Sequence, residues 1–360
     1  MNWGNATVLI TGGTGSFGRH FAAVLLAEQR PAKVIIYSRD ECKQHDMRIG
    51  GFDGPSLRYF IGDVRDAERL RRAMRGVDVV VHAAALKQVP ACEYNPMEAV
   101  ATNITGARNV IDAALDCRVS RVLALSTDKA TEPINIYGAT KLVAEKLFVH
   151  ANVYSGDGST TFACVRYGNV LGSRGSVVPL FREQRKTGTL TITDGRMTRF
   201  WMTLDQGVRF VISCVERMHG GEVFIPRLPS MKLVDLARAI APECRMNFIG
   251  IRPGEKLHES LLSEDEARMA RELSDRFVML PADPHWSRGV WEKLGPPPPE
   301  GFSYRSDNNA DWLTGPQILE LIEESPSPDV PAVTASVATR FVASQENAHV
   351  LQPATVGVAS

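Results

Sequence analysis

Short apolar runs alternate with longer segments of mixed character from residue 7 to about residue 170. The first run, Thr7 to Ile10, leads into a cluster of glycines and then a segment rich in Ala and Leu, which predicts a strand, a tight turn and a helix start. Later runs predict a second strand at Lys33 to Tyr37, a third ending at Gly62 and a fourth at Val77 to His82. Val/Ile-rich strands alternating with helices build a parallel sheet covered on both faces, so the pattern predicts an α/β fold with a Rossmann-type doubly wound sheet. At 360 residues the chain has room for that domain over residues 1–170, with later segments returning to it, and for a smaller substrate domain over 171–324. From about Ser325 charge becomes sparse, Pro, Ala, Val, Ser and Thr dominate, and no helical period remains. Residues 325–360 are therefore expected to form a disordered tail.

The glycine cluster, Thr11 to Gly18, places Gly12, Gly15 and Gly18, or Gly13, Gly15 and Gly18, between strand and helix. Either spacing lets the backbone approach a pyrophosphate and sets its charge against the free amides of a helix start that includes Ser16 and Phe17. After the second strand come Arg39, Asp40, Glu41 and Lys43. A carboxylate there binds a ribose 2′-hydroxyl and repels a 2′-phosphate, whereas Arg39 and Lys43 supply the opposite charge. The expectation is NADP rather than NAD, with Asp40 and Glu41 arguing the other way. Asp63, followed by Val64, is placed to accept from an adenine amino group, and Ala83 opens a run of small residues with room for a nicotinamide.

Ser126, Thr127, Asp128 and Lys129 are followed by Tyr137 and, one helical turn on, Lys141. Residues four apart share a helix face, so the Lys141 ammonium is expected beneath the Tyr137 phenol, favouring phenolate. Such a phenolate takes a proton from a sugar hydroxyl as hydride leaves the same carbon. Asp128 and Lys129 add a second proton-transfer station for a neighbouring carbon. Downstream, Asn169 in a glycine-rich loop suits a phosphate or sugar, Arg252 a diphosphate and Glu255 a ribose diol.

The 41 basic and 41 acidic residues leave no net charge, which removes the electrostatic case for nucleic acid or an anionic membrane. No apolar run reaches the roughly 20 residues of a membrane helix, and the amino terminus enters the first strand without a leader, so a cytoplasmic location is expected. The six cysteines show no Cys-x-x-Cys pairing and the eight histidines no ligand spacing, which disfavours a disulfide framework or a metal site.

The stretches TGGTGSFG, YSRDE, GDVRD, HAAALKQVP, LSTDKA, INIYGATK, RYGNVLGSRGSVVP, RMTRFW and RPGEKLHE together resemble the inverting UDP-N-acetylglucosamine 4,6-dehydratases, which begin pseudaminic acid synthesis. The resemblance runs from about residue 5 to about residue 315. It implies an extended short-chain dehydrogenase fold, tightly held NADP, UDP-N-acetylglucosamine as substrate and a UDP-2-acetamido-2,6-dideoxy-β-L-arabino-hex-4-ulose product. It also implies Lys129 as active-site base beside Asp128, Tyr137 and Lys141, substrate contacts from Lys87, Asn169, Thr193 and Arg252, and a homo-oligomer, hexamer or dimer. The epimerase/dehydratases of the fucosamine route share LSTDKA and RYGNV but usually lack the tyrosine that is Tyr137 here.

The mechanism so implied is an internal redox cycle. Oxidation at C4 acidifies C5, a Lys129 of lowered pKa removes the C5 proton, Asp128 or a water it orders protonates the departing 6-hydroxyl, hydride returns to C6 and a proton is delivered to C5 from the opposite face. Sequence leaves open which of Asp128 and Lys129 is acid and which is base. C4 epimerisation and a non-catalytic NADP-binding scaffold are the alternatives.

Overall fold

In the computed structural model, residues 1–156, 158–172, 176–281 and 288–325 are described, so the expected tail beyond Ser325 lies outside the described residues. The apolar runs become strands β1 (Thr7–Thr11), β2 (Lys33–Ser38), β3 (Leu57–Ile61), β4 (Val79–His82), β5 (Arg121–Leu125) and β6 (Thr161–Val165). With β7 (Val223–Pro226), β8 (Ala270–Glu272) and β9 (Arg276–Met279) they form a nine-stranded sheet in the order β8-β9-β7-β6-β5-β4-β1-β2-β3. The seven strands from β7 to β3 are parallel, and β9 and β8 close one edge antiparallel.

Both faces are buried because successive side chains point to opposite sides. Leu9, Ile35, Val80 and Val122 join one core with Phe148 and Phe162. Val8, Ile10, Ile36 and Val81 join the other with Phe21, Phe224 and Trp291. The strand order reverses at β1, which pairs with both β2 and β4, and ligands of open α/β sheets bind at that switch point.

A third core, including Phe181, Trp201, Leu236 and Ile318, fills a smaller lobe. Its strands are Thr198–Met202, which pairs with Asn169–Val170 and Ser230–Lys232, and Thr189–Ile192, which pairs with Arg245–Phe248. Beside the large sheet, Arg166 is fully buried just past the end of β6. It donates to Glu145 in the helix Ile136–His150, to Glu266, to Thr131 Oγ1 and to the Leu261 carbonyl, so every face of the guanidinium meets an acceptor. Among the described residues, no helix is long and apolar enough to cross a membrane.

Candidate active site

The loops at the carboxyl ends of β1 to β6 line one cleft of about 860 Å³. At one end the chain turns at Gly12, whose φ of +67° suits glycine and whose missing side chain matters: a Cβ there would lie 3.0 Å from the Ala84 backbone. The helix Ser16–Val24 follows with Gly15 as an N-cap that offers no side-chain acceptor, so the amides of its first turn remain available to an anion. Gly15, Ser16, Phe17 and Gly18 all line the cleft, as do Val64 and Ala83.

The charges after β2 are sorted by the next helix, Glu41–Ile49. Asp40 caps it, accepting from the Lys43 amide at 3.0 Å, and pairs with Lys43 Nζ at 2.8 Å. Those Lys43 contacts hold the Asp40 carboxyl below the usual carboxylate range. Arg39 stands exposed on the rim, 3.8 Å from Asp63, whose carboxylate is gripped by Arg65 at 2.7 Å.

Toward the middle of the cleft, Asn135 caps the helix Ile136–His150 through the Gly138 amide at 2.7 Å. The helix start sits directly on the turn Asp128–Ala130, because a Cβ on Gly138 would come within 2.2 Å of the Lys129 carbonyl oxygen. Tyr137 is buried, and burial pushes its phenol up to about 12, against the pull of Thr127 and the Lys129 charge. Lys141 differs from expectation: its ammonium donates to the Leu125 carbonyl at 2.6 Å, and the cation that acts on Tyr137 is Lys129.

Lys129 Nζ lies 3.1 Å from Asp128 Oδ1 and 3.2 Å from Glu259 Oε1. This corrects the expected lowered pKa of Lys129. Burial works against its charge, but the two carboxylates outweigh burial and raise its pKa, so Lys129 rests as an ammonium. Burial pushes the Asp128 carboxyl upward despite Lys129. For Glu259 burial acts upward too, but Lys129 and Arg199 prevail and hold it low.

At the far end Lys87, Asn169, Arg252 and Glu255 line the cleft. Burial lowers the Lys87 pKa. Arg252 and Glu255 stay loosely associated at 3.9 Å, leaving both free to turn to a ligand. Thr193 is the exception among the expected contacts. It does not line the cleft, being buried with its hydroxyl 3.0 Å from Met197 Sδ.

Sequence reasoning missed Glu259, Arg199, Lys256 and Tyr167, all on this cleft. Arg199 and Glu259 lie within RMTRFW and RPGEKLHE, yet nothing local gives them a role. Of the ten buried side-chain polar atoms without a partner among the described residues, six belong to cleft residues: Thr102, Ser126, Asp128, Asn169, Ser176 and Glu259. Unpaired buried polar atoms are costly, and their concentration here marks where a polar ligand is received.

Residues 8–281 match the family described as polysaccharide biosynthesis protein. The chain is 53% identical over 326 residues to the UDP-N-acetylglucosamine 4,6-dehydratase (inverting) of Campylobacter jejuni subsp. jejuni serotype O:2, covering 88% of this chain and 97% of that one. Among solved structures it resembles Pen from Bacillus thuringiensis, with a TM-score of 0.82, 39% identity, and coverage of 90% of this chain and 98% of that one. It also resembles DesIV, a dTDP-glucose 4,6-dehydratase from Streptomyces venezuelae solved with NAD and TYD bound, with a TM-score of 0.63, 25% identity, and coverage of 70% and 86%.

Proposed function

The chain belongs to the polysaccharide biosynthesis protein family, and from that premise we propose that it is a configuration-inverting UDP-N-acetylglucosamine 4,6-dehydratase using NADP. Its product is UDP-2-acetamido-2,6-dideoxy-β-L-arabino-hex-4-ulose, made in the cytoplasm as the first step toward pseudaminic acid. The observation that carries this reading is the placement of Tyr137 and the Asp128–Lys129 pair on one cleft. C4 epimerisation needs the first group alone. Elimination of water needs a second proton station as well.

The glycine turn at Gly12 and the uncapped helix start at Ser16 fit a dinucleotide pyrophosphate. Arg39 supports a 2′-phosphate, because Asp40 is already occupied as a helix cap and partner of Lys43. When bound, the nicotinamide supplies a hydride acceptor for C4 and a donor for C6. Tyr137 takes the C4 hydroxyl proton in its phenolate form, which the Thr127 hydrogen bond and the Lys129 charge favour against burial, while Lys141, fixed on the Leu125 carbonyl, holds the ribose. The 4-keto group acidifies C5, and Lys129, once it has released its resting proton, takes the C5 proton; when hydride returns to C6 a proton is delivered back to C5. Asp128, whose carboxyl is pushed upward by burial, is placed to protonate the departing 6-hydroxyl. Lys87 and Arg252 receive the diphosphate, and Asn169 and Glu255 the sugar and ribose hydroxyls.

The test is incubation with UDP-N-acetylglucosamine in D2O without added nicotinamide. The expected product is lighter by one water and carries deuterium at C5. An epimer of unchanged mass without deuterium overturns the reading.

A further inference from the structure

Arg252 and Glu255 reach the cleft from a tight turn, closed by the Glu255 amide donating to the Arg252 carbonyl at 3.1 Å. The Arg252 side chain is half exposed, with its Nε 3.9 Å from Glu255, so its place depends on the backbone beneath it. That backbone is seated against Asn135. Gly254, inside the turn, has a φ of +78°, and a Cβ on it would lie 3.1 Å from the Cβ of Asn135 and 3.3 Å from the Val89 side chain.

Asn135 has both ends of its amide engaged. Its oxygen accepts from the Gly138 amide at 2.7 Å and caps the helix that carries Tyr137, while its nitrogen donates to the Gly254 carbonyl at 2.8 Å. A helix cap needs only the oxygen, which Ser, Thr or Asp supplies as well. The donor is what capping leaves unexplained, and it is spent on the turn that bears Arg252. Because the amide is planar, fixing its oxygen on Gly138 also fixes the direction of its nitrogen.

We propose that Asn135 is the positioning residue that sets the Arg252 turn in register with Tyr137, so that a nucleotide sugar held at its diphosphate by Arg252 presents its sugar to the phenol. The inference rests on the reading of Arg252 as a diphosphate contact. Binding gained at a remote phosphate serves the reaction only when it carries the reacting carbon to the right place, and that requires the two contact points to be held at a set separation. The same strap has a second attachment. Lys256 Nζ donates to the Thr131 carbonyl at 2.6 Å, and Arg199 holds the carbonyls of Lys256 and Leu257, each at 3.0 Å. Thr131 and Asn135 bracket the link between the Asp128–Ala130 turn and the Tyr137 helix, so the strap meets that link at both ends. Lys256 fastens the end leading to Glu259. Asn135 fastens the turn itself.

The experiment is Asn135→Ser in the full chain, which keeps a capping oxygen, does not reach Gly254 and adds no charge. Calorimetric titration with UDP should show binding about tenfold weaker, and KM for UDP-N-acetylglucosamine should rise with it, while NADP binding and the unfolding temperature stay near wild type. The same substitution is then made in Arg252→Ala. There its effect on UDP should shrink to within about twofold, since a residue acting through another is not additive with it. An equal loss in both backgrounds overturns the inference, because it marks Asn135 as a contact independent of Arg252. Native UDP binding by Asn135→Ser overturns it too, as does a joint loss of NADP binding and unfolding temperature, which marks a general structural role. A wild-type protein that shows this pattern with UDP yet performs no dehydration removes the dehydratase reading alone, and one that binds no UDP removes both.

Discussion

Adding one methyl group at Gly138 separates what the site needs from what the fold tolerates. In Gly138→Ala the new Cβ would stand 2.2 Å from the Lys129 carbonyl oxygen and 3.1 Å from the Pro133 side chain, where ordinary contact begins at 3.4 Å. The helix start carrying Tyr137 and the turn carrying Lys129 therefore have to part by roughly 1 Å, and a misplacement of that size costs on the order of 100-fold in rate. Overpacking destabilises by about 1–3 kcal/mol, while alanine is favoured over glycine in a helix by about 1 kcal/mol. The net loss of stability is thus about 0–2 kcal/mol. The assay pairs product formation from UDP-N-acetylglucosamine, followed by mass, with thermal unfolding. The expected result is turnover down about 100-fold in a protein that unfolds within a few degrees of wild type. Native turnover at native stability would show that the register between the Tyr137 helix and the Lys129 turn is not what sets the chemistry.

Lys129→Ala should abolish turnover yet let reduced nicotinamide accumulate, whereas Tyr137→Phe should bind substrate and give no reduced nicotinamide; both losses should be about 100- to 10,000-fold, and a near-native Lys129→Ala enzyme would take Lys129 out of the mechanism. Arg39→Ala should weaken NADP over NAD by about 1.5–3 kcal/mol in calorimetric titration, and Lys43→Ala by less, since Lys43 is shared with Asp40; equal weakening of both cofactors by Arg39→Ala would show that Arg39 does not read the phosphate. Thr193→Val should leave KM for the nucleotide sugar within about twofold, as its hydroxyl faces Met197; a tenfold rise would place Thr193 at the substrate. Light scattering should show a homo-oligomer, with a fully active monomer as the contrary result.

What was legible in the chain was local. The run Thr7 to Ile10 became β1 with one residue added, and Lys33 to Tyr37 became β2, likewise longer by one, because buried parallel strands are continuous apolar runs. The helix under Tyr137 and Lys141 was also legible, since a four-residue spacing is a helix property. The chemistry laid on that spacing was only partly so. Lys141 reaches across to Leu125 on a strand, and the cation beside the phenol comes from the preceding turn. The state of Lys129 is set by Asp128 together with Glu259, 130 positions along the chain, and no pattern around Lys129 or Glu259 announces that they meet. Thr193, a residue type suited to a sugar and carried over by resemblance, is buried with its hydroxyl on Met197 in the turn between Thr189–Ile192 and Thr198–Met202, a contact the sequence did not announce.

The Arg166 junction has a mechanical consequence. Its guanidinium, fully buried, is shared among the Tyr137-bearing helix, the Thr131 turn and the segment leading from Glu259 to Glu266. Prying any one of these away would strand a buried charge, at a cost of about 3–5 kcal/mol. These three segments are therefore tied to one another around one charge, while Arg39 and Arg252 stand in solvent at the rim of the cleft.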